Sequence, residues 1–110
     1  MSTCRIHVSV FPLGSSEPRR VLAAVRDVWH SPSWISQRQF KGGWLVETLS
    51  EGVLPDQDNQ AEFSQKLSIA IWQRLGRYVK VVIDVSIDES DACHRQELNR
   101  SDYLKLMRII

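Results

Sequence analysis

Gly76-Arg77-Tyr78-Val79-Lys80-Val81-Val82-Ile83-Asp84-Val85-Ser86-Ile87 is the stretch on which the fold turns. After the opening glycine, Val79, Val81, Ile83, Val85 and Ile87 fall on one side, and Lys80, Val82, Asp84 and Ser86 on the other. A period of two with β-branched residues on one side predicts a strand that buries one face and shows the other. Cys4 to Phe11 repeats the pattern, so two long strands bracket everything between them.

Working inward from these strands, Pro12-Leu13-Gly14-Ser15-Ser16 predicts a turn, and Pro18 suits the first turn of a helix. Val21, Leu22, Val25, Val28 and Trp29 recur at helical spacing, and Pro32 disfavours any continuation of that helix. Trp34 to Phe40 reads as a second strand, Lys41-Gly42-Gly43 as a tight reversal and Trp44 to Leu49 as a third strand. Ser50 to Asp58 reads as a loop. Asn59 with Glu62 resembles a capping box, Phe63, Leu67, Ala70, Ile71 and Leu75 form the stripe of a second helix, and Gly76 caps its end. Beyond Ile87 the chain is polar to Arg100 and apolar again from Tyr103. Helix and strand both fit that last piece; a short docked helix begun at Ser101 is the expectation.

The order strand, helix, strand, strand, helix, strand predicts an α+β fold. With right-handed crossovers it is the ferredoxin-like βαββαβ sandwich, a four-stranded antiparallel sheet with two helices on one face. Residues 1–88 are expected to form this domain. Residues 89–110 are expected to be a C-terminal extension, a polar linker and a short apolar segment.

At 110 residues, 43% hydrophobic and 25% charged, the chain has the make-up of one soluble globular domain. A net charge of +1 supplies no field to draw nucleic acid or an anionic membrane. No apolar run has the length to span a bilayer. Met1 leads straight into a strand without the layout of a secretory leader, so a cytoplasmic location is expected. Two cysteines, Cys4 and Cys93, are too few for a metal quartet or a disulfide framework. No metal site is expected.

Two helices cover one side of such a sheet. The other side would carry Arg5, His7, Ser9 and Phe11 from the first strand and Lys80, Val82, Asp84 and Ser86 from the last. The third strand would add either Leu45, Glu47 and Leu49 or Trp44, Val46 and Thr48. Each choice sets large apolar groups beside Phe11 and Val82, and burying them is worth about 25 cal/mol per Å². Such a face is covered either by a second copy or by the C-terminal segment folding back.

His7 with Asp84 on the neighbouring strand has the makings of a base and its orienting carboxylate, but no nucleophile accompanies them. No catalytic residue is assigned, and the chain is read as a non-enzyme. Lys41 to Val46 has a faint likeness to the third-strand motif of RNA-recognition domains. The positions for stacking aromatics hold Gly43, Leu45 and Thr48, and Glu47 and Asp84 oppose a phosphate backbone, so nucleic-acid binding is disfavoured.

Val10-Phe11-Pro12-Leu13-Gly14, Gly43-Trp44-Leu45-Val46-Glu47 and Val85-Ser86-Ile87-Asp88 occur in an order that resembles a family of small thiamine-binding ferredoxin-like proteins. The likeness spans Cys4 to Asp88. Trp44 stands where the family has a small hydroxyl residue, and Glu89-Ser90-Asp91 where it carries arginine. The resemblance implies a homo-oligomer assembled through open sheets and a ligand of thiamine type, with no other cofactor. A carboxylate and an aromatic face suit a cationic heterocycle. The candidate ligand-binding residues are therefore Glu47, Trp44, Phe11, His7 and Gly43. The alternative is a protein-interaction module using the open sheet face or the C-terminal tail.

Overall fold

Val79, Val81, Ile83 and Val85 are all fully buried, so their alternation with Lys80, Val82 and Asp84 does mark a strand with one side in the core. The computed structural model describes residues 4–53, 60–87 and 93–108. Its elements in chain order are β1 (Cys4–Leu13), α1 (Pro18–Val28), β2 (Trp34–Phe40), β3 (Gly43–Gly52), α2 (Gln60–Leu75), β4 (Lys80–Ile87), β5 (Cys93–Leu98) and α3 (Arg100–Met107). The expected cap at Asn59 and the polar run 88–92 lie outside the described residues.

The sheet is antiparallel throughout, in the order β2-β3-β1-β4-β5. The expected four-stranded sheet is thus a five-stranded one. β4 is not an edge, because β5 pairs with it from Val81–Leu98 to Ser86–Cys93. The expectation missed β5 because Cys93-His94-Arg95-Gln96-Glu97-Leu98 has no apolar alternation; of its described side chains only Leu98 is buried. Pairing with β4, rather than its own composition, makes it a strand.

Ile6, Val8 and Val10 of β1, Val46 of β3, Val79 just before β4 and Val81, Ile83 and Val85 of β4 meet Val21, Ala24 and Val25 of α1 and Phe63, Leu67, Ile71 and Trp72 of α2 in one core. Both helices therefore lie on the same side of the sheet. Trp72 is fully buried and donates its indole N–H to the Val79 carbonyl at 2.9 Å, so its one polar atom is satisfied. Gly76, at φ +73, ends α2 with its N–H on the Trp72 carbonyl. α3 begins one residue before the expected Ser101. Asn99 caps it, its side chain accepting from the Ser101 and Asp102 N–H groups while Asp102 accepts from the Asn99 N–H. Tyr103 then stands edge-on to Trp72 with ring centroids 5.2 Å apart, which docks α3 beside α2.

Candidate functional site: the hairpin cavity and the open sheet face

Register decides which side chains share a face. Val10 pairs with Val46 in the core, and a shift between Val10 and Leu13 then brings Leu13 opposite Trp44. Trp44, Val46 and Thr48 accordingly lie on the helix side, Val46 and Thr48 buried and Trp44 packed against the core. Leu45, Glu47 and Leu49 lie on the open side with Arg5, His7, Ser9 and Phe11. β2 adds Trp34, Ser36, Arg38 and Phe40 to that side; β5 adds Arg95 and Glu97.

The middle of the open face is ionic. Arg38 approaches Glu47 at 3.2 Å, and the other Glu47 oxygen is 3.2 Å from His7 Nε2. His7 Nδ1 is 3.9 Å from Asp84, which Arg95 grips with both arms at 2.7 and 3.2 Å. One side chain from each of the five strands makes this row. Arg5 with Glu51 and Lys80 with Glu97 flank it. Glu47 is thus engaged by Arg38 and His7, not by Arg5 or Lys80. The nearer carboxylate of His7 is Glu47, while Asp84 stands beyond ordinary hydrogen-bond reach of it.

A cavity of about 490 Å³ opens at the end of the sheet. Its walls are Leu13, Gly14 and Ser15 of the segment leaving β1, Gln39 to Gly43 of the β2–β3 hairpin, and Trp44. The hairpin turn has Lys41 at φ 48 and Gly42 at φ 83, the two positive values that a two-residue turn matching the sheet's twist requires. The next residue must also be glycine, because a Cβ on Gly43 would lie 2.9 Å from Pro12 Cβ. Phe40 meets Phe11 edge-on at 5.5 Å, and the Lys41 ammonium stands 5.3 Å from the Phe40 ring centroid. Among the described residues, Lys41 is the one charged residue of the lining.

The opposite wall is held by an ion pair. Glu17 accepts the Gly14 N–H at 2.7 Å and both arms of Arg77, which also donates to the Pro12 carbonyl at 3.0 Å. The Arg77 guanidinium holds the Glu17 carboxyl below its ordinary value, against the opposing effect of burial, and Glu17 in turn raises Arg77.

The structure therefore divides the candidate residues. Trp44 and Gly43 line the cavity; His7 and Glu47 meet on the open face; Phe11 touches the lining residue Phe40 edge-on without lining the cavity itself. Trp44 and Glu47 are on opposite sides of β3, so they do not converge on one ligand. Leu13, Ser15, Gln39, Phe40 and Lys41 were not singled out from sequence. The Lys41-Gly42 turn was legible, but the register shift that turns Leu13 and Trp44 toward each other was not.

Among the described residues, no group of three His, Cys, Asp or Glu side chains could hold a metal ion, and no helix is long and apolar enough to cross a membrane. No family model, no curated protein and no solved structure matches the chain.

Proposed function

We propose that this chain is a non-catalytic domain that holds a small planar molecule in the hairpin cavity. The order of its first four strands, with α1 and α2 on one side, supports a ferredoxin-like sandwich extended by β5 and α3. One observation carries the functional reading: a cavity within the range of about 300–1,000 Å³ usual for ligands, with Trp44, Phe40 and the Lys41 ammonium in its lining. Trp44 offers a π-face to a heterocycle, and Lys41 suits an anionic substituent. A thiamine-type ring bearing a phosphate ester combines the two, whereas unmodified thiamine leaves Lys41 facing a cation.

The test is titration calorimetry and thermal shift with thiamine and with its monophosphate. The phosphate ester is expected to bind more tightly and to raise the melting temperature, and Lys41→Ala is expected to abolish that preference. Absence of heat and of any shift with either compound would overturn the reading.

A further inference from the structure

The sheet ends in two strands, β2 and β5, whose outer edges differ. β5 carries Arg95 and Glu97, paired along the sheet with Asp84 and Lys80, and none of the large apolar residues exposed among the described residues. β2 is Trp34-Ile35-Ser36-Gln37-Arg38-Gln39-Phe40 and pairs with β3 along its whole length without a register shift. Three of the large apolar residues exposed among the described residues are on it: Trp34 at 48%, Ile35 at 44% and Phe40 at 42%. Its one charge, Arg38, is turned along the sheet to Glu47.

The backbone of β2 has a definite outward set. Phe40 and Gly43 flank a two-residue turn, and residues so placed exchange both of their hydrogen bonds. By alternation Arg38, Ser36 and Trp34 also direct their N–H and C=O groups to β3, and Ile35, Gln37 and Gln39 direct theirs away from the sheet. These last three lie on the helix side and are all exposed, so neither α1 nor α2 overhangs the edge.

We infer that β2 pairs antiparallel with β2 of a second copy, about a two-fold axis through Gln37, to make one continuous sheet. The heptapeptide is self-complementary in that register. Ile35 faces Gln39, Ser36 faces Arg38 and Trp34 faces Phe40, and every outward N–H and C=O of Ile35, Gln37 and Gln39 gains a partner. No charge stands directly opposite its like; the two Arg38 side chains are diagonal neighbours, each turned to its own Glu47. Trp34 of the second copy extends the Phe11–Phe40 pair, and a slip of two residues in either direction would separate those rings and leave outward groups unpaired. Gln39 and Phe40 also line the cavity, so Ile35 and Trp34 of the second copy come to its rim. The pairing stands independently of which ligand, if any, the cavity takes.

Light scattering on the full chain from about 1 to about 100 μM tests this. A particle of twice 12.7 kDa is expected at the upper end. Gln37→Pro, which removes an outward N–H and no bond to β3, is expected to weaken association at least about tenfold. Ile35→Lys, at an exposed position, is expected to do the same without altering the melting temperature at the low end of the range, where both chains are monomers. Amide exchange at Ile35, Gln37 and Gln39 in the unmodified chain should slow as concentration rises. A monomer at every concentration, or a dimer that both substitutions leave intact, would overturn the inference; the second outcome would assign assembly to the open face.

Discussion

Arg77 and Glu17, 60 residues apart in sequence, close on each other with two hydrogen bonds, and a third from the same guanidinium goes to the Pro12 carbonyl. One side chain thereby ties the end of β1 and the start of α1 to the segment joining α2 to β4. These contacts fix the wall of the cavity opposite the hairpin. α1 has no side-chain cap of the usual kind; the Glu17 carboxylate turns back to the Gly14 N–H instead.

Glu17→Gln should cost about 1–2 kcal/mol at neutral pH, a charge-assisted pair moderated by the exposure of Arg77. The sign with pH follows from the direction of the shift. The folded carboxyl titrates below its ordinary 4.5, so its contribution is complete above that value and is lost as pH falls through the lower, folded value. Urea denaturation across the acid range should show the unmodified chain losing stability there and Glu17→Gln losing less.

Gly43→Ala and Gly42→Ala separate two reasons for glycine in one turn. At Gly42 nothing lies within 4 Å of a new Cβ, and only φ +83 resists it, so a loss of about 1 kcal/mol is expected. At Gly43 the Cβ meets Pro12 at 2.9 Å and the strands must part, at about 1–3 kcal/mol. Thermal denaturation should rank Gly43→Ala as the more damaging.

Trp72→Phe keeps much of the ring's bulk in the core and deletes the N–H that satisfies the Val79 carbonyl. Leaving that carbonyl without its donor should cost about 1–3 kcal/mol, read from the urea midpoint with an unchanged slope.

Glu47→Gln removes the charge shared by Arg38 and His7. An effect of about 0.5–1 kcal/mol at low ionic strength, shrinking as salt is added, is expected from half-exposed partners. A loss indifferent to salt would show that packing, not charge, sets the role of this residue.

What was legible in sequence and what was not divides on a physical line. β1 and β4 announced themselves because one side of each is buried against helices, and only alternation satisfies that. Phe63, Leu67, Ile71 and Leu75 did the same at helical spacing. β5 held no such signal, since its pairing relies on backbone groups that every residue carries. The side of β3 that bears Trp44 was undecidable, because it depends on the β1–β3 register that sets Val46 opposite Val10, and both alternations of β3 carry apolar residues. The cavity was illegible for a related reason: Ser15 and Gln39 are distant in sequence, and only the folded hairpin makes them neighbours.

The row Arg38, Glu47, His7, Asp84 and Arg95 gives the sheet a way of verifying its own alignment. Were any strand to settle one position out of step, its member would swing to the helix side and strand its neighbours' charges. Misalignment would thus carry an electrostatic penalty wherever it arose, a safeguard that backbone pairing, blind to residue identity, does not provide.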